Sequence, residues 1–126
     1  MDGANLRSQP VLEVRDLWKE YPVGDETVVA LQNVTLNIMR GEICCIFGPS
    51  GSGKSTLLNQ LSGLEKPTRG EVLIGGIPIS RLSEEQLTNF RQRHLGFVFQ
   101  SYNLLPQLTA TENVALPLMF RGVPKP

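Results

Sequence analysis

The chain has no excess of charge of either sign, since its 126 residues include 12 Lys and Arg and 12 Asp and Glu. A protein without net charge has no overall field that would draw it to nucleic acid or to an acidic membrane surface. Any partner must therefore be recognised through a local surface. We expect no nucleic-acid partner.

Long apolar runs and the elements of a secretion signal are missing as well. The first five residues contain no basic segment with an apolar stretch behind it. No apolar run approaches the roughly 20 residues that are needed to cross a bilayer. The sequence therefore predicts a cytoplasmic protein.

Cysteine occurs only twice, as the neighbours Cys44 and Cys45 in the apolar run at residues 43–47. Successive side chains of a strand point to opposite faces, so the two thiols are poorly placed to pair with each other. We expect them to be small core residues of a protein from a reducing compartment. A metal or redox role is the less favoured alternative.

A glycine-rich segment at residues 48–56 is the most informative feature that is present. It reads Gly-Pro-Ser-Gly-Ser-Gly-Lys-Ser-Thr and fits the pattern G-x-x-x-x-G-K-[ST] at every fixed position. Glycines allow backbone N–H groups to converge on one anion, and the dipole of a following helix adds positive charge. Lys54 can then reach the terminal phosphates of a nucleotide, and the Ser55 hydroxyl can ligate a bridging Mg²⁺.

The flanking sequence argues against the alternative of a flexible Gly/Ser linker. Residues 43–47 predict a buried strand, and residues 54–61 predict a helix that ends at Gly63. Strand, loop and helix in this order are the setting that a phosphate-binding loop requires.

Further strands are indicated by alternating or continuous apolar residues. They are predicted at residues 11–21, 28–31, 34–38, 71–74, 77–79 and 95–99. Gly75 and Gly76 predict a tight hairpin turn, and Pro78 predicts that the strand after this turn lies at the edge of a sheet.

Two helices after the loop are indicated by capping boxes. The box that begins at Ser83 predicts a helix to about residue 93, and the box that begins at Thr109 predicts a helix through residue 120. The second box explains Glu112 as a capping residue and not as a catalytic acid.

The loop and its surroundings resemble the nucleotide-binding subunit of an ABC transporter. Residues 48–58, Gly-Pro-Ser-Gly-Ser-Gly-Lys-Ser-Thr-Leu-Leu, are similar to that family's phosphate loop nearly residue for residue. The resemblance places the family's aromatic loop, which stacks on adenine, at residues 19–22 and its glutamine loop at residues 96–100. Further segments are similar to the lipoprotein-releasing and macrolide-export branch, at residues 30–34, 41–43, 67–72 and 99–106.

This resemblance implies an α/β fold, with a partial P-loop NTPase core, an N-terminal antiparallel β-subdomain and the start of a helical subdomain. Residues 1–126 would form the N-terminal part of a single nucleotide-binding domain. Three parts are expected within it: the β-subdomain and phosphate loop at about 10–82, a helix and the glutamine loop at about 83–106, and the start of a helical arm at about 107–126.

The resemblance also implies ATP and Mg²⁺ as cofactors and gives roles to individual residues. Lys54 and Gln100 would be catalytic, and Ser55 and Gln100 would contact Mg²⁺. The nucleotide-binding residues would be Tyr21, Gly48, Pro49, Ser50, Gly51, Ser52, Gly53, Lys54, Ser55 and Thr56.

Two of these assignments leave an alternative open. Trp18 competes with Tyr21 for stacking on the base, although the spacing in the family favours Tyr21. Gln100 follows a predicted strand at its carboxyl end, where ligands bind in open α/β sheets, but a polar strand terminus is the plain alternative.

Several motifs of the family are absent from the sequence. It contains neither the signature Leu-Ser-Gly-Gly-Gln nor a second acidic strand carrying the magnesium aspartate and the catalytic glutamate. Leu61-Ser62-Gly63 ends the phosphate-loop helix, and His94 precedes the glutamine loop, so these residues match neither the signature nor the switch histidine. We expect the chain to be the amino-terminal part of a longer protein and to be inactive as an ATPase by itself.

For the complete protein, the resemblance implies ATP hydrolysis that powers an ABC transporter of the export or lipoprotein-release type. The expected partners are a transmembrane permease subunit and a second nucleotide-binding subunit in a head-to-tail dimer, on the inner face of the plasma membrane. Residues 100–120 would couple the site to the permease, unless Leu104 and Leu105 instead close the core. The alternatives are a soluble ABC-type ATPase of DNA repair or chromosome maintenance and a non-catalytic nucleotide-binding fragment.

Overall fold

The computed structural model describes residues 9–124. In chain order, its elements are β1 (Pro10–Val23), β2 (Glu26–Met39), α1 (Lys54–Leu61), β3 (Arg69–Ile74), β4 (Ile77–Pro78), a short 3-10 helix (Ile79–Arg81), α2 (Glu84–His94) and α3 (Ala110–Phe120). The chain divides into two compact units, one that runs up to Leu82 and one that begins at Ser83.

The four strands of the first unit form one antiparallel sheet in the order β2, β1, β3, β4. β1 is an inner strand, because Val14 faces Leu36 of β2 on one side and Val72 of β3 on the other. A tight turn containing Gly24, whose φ is 62°, joins β1 to β2. The expected antiparallel β-subdomain is therefore present.

The two strands predicted at residues 28–31 and 34–38 are one continuous strand, β2. The apolar pattern breaks at Gln32 and Asn33, where Asn33 has a φ of 48° and the register with β1 is irregular. An irregularity of this kind changes the side-chain alternation without ending the strand. The sequence pattern indicated two segments for this reason.

Buried apolar side chains from the sheet and α1 form the core of the first unit. Val14 and Leu17 of β1 and Val72 of β3 are completely buried. Leu57 and Leu61 lie one turn apart on the same face of α1 and are buried as well. Burying a side chain of this size contributes about 1.5–3 kcal/mol, so this face holds α1 and the loop before it in place.

One edge of the sheet is the two-residue strand β4, and the other is β2. Gly75 and Gly76, with φ values of 57° and 80°, form the predicted hairpin turn before it. Pro78 has no N–H to donate, which suits an edge strand, as expected. Ile79 was predicted to continue this strand, but it begins the 3-10 helix and its side chain is buried.

Both predicted capping boxes are confirmed. The Ser83 hydroxyl accepts from the N–H of Gln86 at 3.2 Å, and the Gln86 side chain accepts from the N–H of Ser83 at 3.0 Å. Thr109 and Glu112 form the same reciprocal pair at the start of α3. Helix α3 continues through Pro117 and ends at Phe120.

The strands predicted at residues 43–47 and 95–99 are not formed. Ile43 and Phe47 are 95% and 90% exposed, and Val98 is 97% exposed. A buried strand needs a hydrogen-bonded neighbour and apolar cover on its faces. Within residues 9–124, the strands belong to the four-stranded sheet, and neither segment pairs with it.

The expectation that Cys44 and Cys45 are core residues is wrong for the same reason. Both side chains are exposed, because the segment that contains them has no strand partner in the described part of the chain. They are free thiols, as expected for neighbours that are poorly placed to pair.

Gly70 lies where the start of β3 passes very close to an irregular part of β1. A Cβ atom at this position would lie 2.3 Å from the carbonyl oxygen of Asp16 and 2.6 Å from that of Arg15. Asp16 itself has a φ of 48°, and Gly70 has a φ of 90°. The bulge in β1 therefore requires glycine opposite it.

We predict that Gly70→Ala lowers the free energy of unfolding by about 2–4 kcal/mol, because the methyl group adds a backbone clash to the strain of a positive φ. Gly76→Ala is the matched control: its φ is 80°, but among residues 9–124 no heavy atom other than those of Gly76 and its chain neighbours lies within 4 Å of its Cβ position. The control should lose only about 1–2 kcal/mol. Urea unfolding followed by circular dichroism measures both, and equal losses would contradict the proposed clash.

Candidate functional site

The loop between β2 and α1 carries the phosphate-binding pattern at the amino end of α1. Gly51 and Gly53 have φ values of 80° and 95°, in the region that favours glycine. Gly53 is the N-cap of α1 and offers no side-chain oxygen to the first amides of the helix. These N–H groups and the positive end of the helix dipole are therefore available to an anion.

One of the glycines is also required by close packing. A Cβ atom at Gly53 would lie 2.8 Å from the carbonyl oxygen of Ala30 in β2, whereas one at Gly48 would lie 2.5 Å from the hydroxyl of Ser52, which can rotate. A larger residue at position 53 would therefore push the start of α1 away from the sheet. The glycines serve the shape of the loop as well as access to its amides.

Lys54 folds back across this loop. Its ammonium donates to the carbonyl oxygen of Gly48 and to that of Pro49, the latter at 2.9 Å. Both acceptors are neutral, so the ammonium charge is not matched by a carboxylate in these two bonds. An incoming anion could therefore pair with the Lys54 ammonium without first having to break an ion pair.

Ser55 and Thr56 complete the loop motif in the first turn of α1. The Ser55 side chain is exposed, so its hydroxyl is accessible from solvent. Within residues 9–124, there is no group of three or more His, Cys, Asp or Glu residues that could hold a metal ion. A hard cation at this site would take the serine oxygen together with ligands from a nucleotide and water.

Tyr21 lies near the end of β1, and its phenol is tied to residues around α1. The phenol donates to Oε2 of Glu65 at 2.5 Å. This hydrogen bond, together with burial and the negative charge of Glu65, raises the pKa of Tyr21 above its ordinary value of 10.0, whereas the nearby Thr56 hydroxyl lowers it. Tyr21 therefore lies beside the last residue of the loop motif.

Trp18 has a different environment. The guanidinium carbon of Arg69 lies 4.2 Å from the centroid of its ring, in a cation–π contact, and Arg69 also pairs with Glu20 at 3.2 Å. One face of the indole is therefore occupied by a side chain of the same sheet. This arrangement explains Trp18 as part of the surface of the β-sheet.

Gln100 belongs to the second unit, where it follows residues 95–99 and its side chain is exposed. The structure brings Tyr21 to the loop residues in the first unit, and it places Gln100 in a turn of the second. The strand that was expected to end at Gln100 is absent. Gln100 lies instead in a turn at residues 100–101.

Asn113 has a role that the sequence pattern did not indicate. Its side-chain oxygen accepts from the N–H of Leu105 at 2.8 Å, and its amide nitrogen donates to the carbonyls of Leu105, Leu108 and Thr109 at 3.2, 3.3 and 2.9 Å. One side chain thus orders the segment that follows residues 96–100. An asparagine next to a capping box carries no local signal for a partner eight positions away in the chain.

The second unit also contains an open cavity of about 930 Å³. Its lining is largely apolar and comes from α2, from residues 95–99, from residues 102–106, from Leu108 and from α3. Leu104 and Leu105 belong to this lining and are 65% and 44% exposed. In the part of the chain that the structure describes, no helix is long and apolar enough to span a membrane.

Residues 31–125 match the family model described as ABC transporter. The chain belongs to the ABC transporter family. It is 49% identical over 115 residues to the lipoprotein-releasing system ATP-binding protein LolD of Alcanivorax borkumensis. This match covers 91% of the chain and 50% of LolD. It is 43% identical over 116 residues to the macrolide export ATP-binding/permease protein MacB of Bordetella avium, covering 92% of the chain and 18% of MacB.

The fold of this ABC chain is similar to solved ABC cassettes. The dimeric structure of the cassette MJ0796, a protein of Methanocaldococcus jannaschii, matches with a TM-score of 0.81 and 51% sequence identity, over 87% of this chain and 47% of the cassette. A dimeric post-hydrolysis structure of the same cassette, bound to ADP and Pi, matches equally well. The expected family, its branch and the partial cassette fold are confirmed, and the chain spans about half the length of LolD and MJ0796.

We predict a pH signature for the bond between Tyr21 and Glu65. The folded pKa of Tyr21 is raised, so the folded state keeps a proton that the unfolded state loses. The resulting stability is complete below pH 10.0 and is lost as the pH rises through the folded pKa. The phenolate absorbance of the parent minus that of Tyr21→Phe should therefore titrate above the ordinary tyrosine range. A difference that titrates in the ordinary range would contradict the bond.

Proposed function

We propose that this chain binds ATP–Mg²⁺ through residues 48–56 and that the complete protein hydrolyses ATP to power an ABC transporter. The observation that carries the proposal is the loop geometry: Gly53 leaves the first amides of α1 uncapped, and the Lys54 ammonium lies across the same loop. Uncapped helix amides, a helix dipole and an ammonium held by neutral carbonyls suit a polyphosphate.

The terminal phosphates would be held by Lys54, and the magnesium ion by Ser55. When phosphate enters, the ammonium can exchange its bonds to the Gly48 and Pro49 carbonyls for charge-assisted bonds to anionic oxygens. The exposed Ser55 hydroxyl supplies a hard oxygen ligand, which fits Mg²⁺. Bound Mg²⁺ would neutralise charge that develops on the phosphates. In the complete protein, Gln100 would contact the same Mg²⁺ ion and the water molecule that attacks the terminal phosphate.

The adenine ring would stack on Tyr21. Its phenol contacts Glu65 and lies near Thr56, so the ring stands beside the helix that follows the phosphate loop. Stacking contributes about 0.5–1.5 kcal/mol beyond the area that it buries. Each ring has a cation on one face, Arg69 on Trp18 and Lys19 on Tyr21, so this contact does not separate the two. Tyr21 is the better platform because its phenol lies near Thr56 of the loop motif.

Turnover and transport belong to the complete protein. The expected signature, second acidic strand and switch histidine do not occur in these 126 residues, so we propose that residues 1–126 alone do not hydrolyse ATP competently. The names of LolD and MacB support a function in lipoprotein release or export. A head-to-tail dimer is in keeping with the dimeric MJ0796 cassette, and a permease partner would place the protein on the inner face of the plasma membrane.

The segment at residues 100–120 is our proposed coupling surface to the permease. It begins at Gln100 and includes the exposed side chains of Leu104 and Leu105 beside an apolar cavity. Exposed apolar side chains of this kind suit a short helix from a partner. Their exposure argues against the alternative that they close the core of this unit.

We predict that Lys54→Ala weakens ATP–Mg²⁺ binding by the full-length protein about ten- to a hundredfold, because charge-assisted bonds contribute about 1.5–3 kcal/mol each. Titration calorimetry measures the affinity. Lys66→Ala removes an exposed lysine outside the loop and serves as the control, with an affinity close to that of the parent. Unchanged affinity in Lys54→Ala would remove the loop from the proposed site.

We predict that Leu105→Asp lowers association with the permease subunit and leaves nucleotide affinity near normal, because a charge replaces an apolar docking residue. Gln100→Ala should instead preserve association and uncouple ATP hydrolysis from transport. Copurification and transport-stimulated ATPase activity of the full-length complex distinguish the two variants. A Leu105→Asp variant that cannot be recovered as folded protein would identify Leu105 as a core residue and contradict the docking assignment.

A further inference from the structure

Glu65 is the centre of a polar cluster beside the proposed base-binding side chain. Its Oε2 accepts from the Tyr21 phenol at 2.5 Å and from Nε2 of Gln60 at 3.3 Å, and it lies 3.9 Å from the Lys19 ammonium. Its Oε1 accepts from the Asn59 amide at 3.4 Å. One carboxylate therefore joins β1 to the end of α1.

Gln60 anchors this carboxylate from the interior. Gln60 is only 1% exposed, and its side-chain amide nitrogen donates to the Glu65 carboxylate. Its Oε1 has no hydrogen-bond partner within residues 9–124. An unmet buried acceptor is unfavourable, so the bond from Nε2 to Glu65 offsets part of the cost of burying this amide.

Lys19 further restricts the arrangement. Its ammonium donates to the carbonyl of Lys66 at 2.8 Å and lies 5.1 Å from the centroid of the Tyr21 ring. The cation therefore stands over one face of the phenol ring. A base that stacks on Tyr21 is directed to the opposite face.

We propose that Glu65 is a positioning residue that holds the Tyr21 ring in the orientation needed to stack on the base of the nucleotide. This inference rests on the proposed function, because it assumes that Tyr21 is the stacking platform. A phenol hydrogen bond lies near the plane of the ring, so it fixes the ring without covering the face that the base would use. Ordering the side chain before binding lowers the entropy that binding must overcome.

The test compares ATP with tripolyphosphate, which carries the phosphates without a base. Both are titrated in the presence of Mg²⁺ into the full-length parent, Glu65→Gln, Glu65→Leu, Tyr21→Phe and the double variant Tyr21→Phe/Glu65→Leu. Glu71→Leu is the matched control, because Glu71 and Glu65 have similar side-chain exposures of 25% and 34% and Glu71 pairs with Arg81 instead. Phenolate titration of the parent and the Glu65 variants gives a second readout.

We expect Glu65→Leu to weaken ATP binding about three- to tenfold, the effect of one hydrogen bond, and to leave tripolyphosphate binding unchanged. Glu65→Gln should retain most of the affinity, because the amide oxygen still accepts from the phenol. Tyr21→Phe should cause a similar loss, and the double variant should lose no more than either single variant. The pKa of Tyr21 should return toward its ordinary value in Glu65→Leu.

The outcomes separate this inference from the proposed function. A parent that binds neither ligand would overturn the proposed function and the inference with it. A parent that binds both, together with a Glu65→Leu variant that matches Glu71→Leu, would overturn the inference alone. Equal losses for ATP and tripolyphosphate, or additive losses in the double variant, would show that Glu65 does not act through Tyr21. If Glu65→Leu does not fold, Tyr21→Phe decides, since unchanged ATP affinity there also overturns the inference.

Discussion

The close approach between the start of α1 and strand β2 is the constraint on which the proposed site depends. A Cβ atom at Gly53 would lie 2.8 Å from the carbonyl oxygen of Ala30, so only glycine lets the helix begin directly against the strand. Tyr21 pairs with Val28 across the same β-hairpin. The hairpin therefore brings the aromatic side chain, the loop and the uncapped amides of α1 to one end of the sheet.

Lys54 and Glu65, two charged side chains at this end of the sheet, are held by different kinds of groups. The Lys54 ammonium is held by neutral carbonyl oxygens, so an anion can compete for it at small cost. The Glu65 carboxylate is held by a phenol, two amides and a nearby ammonium, which makes it a fixed part of the framework. The proposed site thus combines an ammonium that is held by neutral carbonyls with a carboxylate that is anchored by several groups.

A segment of largely exposed apolar side chains comes directly before the proposed site residues in each unit. Residues 43–47 lead into the phosphate loop, and residues 95–99 lead into Gln100, and neither segment pairs with the four-stranded sheet. Unpaired apolar segments are available for further strand pairing.

Local chemistry in the sequence determined the elements that need no distant partner. The capping boxes at Ser83 and Thr109, the hairpin at Gly75 and Gly76 and the pattern at residues 48–56 all follow from short-range rules, and the structure forms the helices and the turn as predicted. Tertiary structure alone decided the rest. Residues 43–47 have an apolar pattern but no strand partner among the described residues. The clash at Gly70 depends on a bulge in β1, and Glu65 reaches Tyr21 across 44 positions of the chain. Pairing, packing and long-range hydrogen bonds depend on which segments meet, and a local pattern carries no information about that.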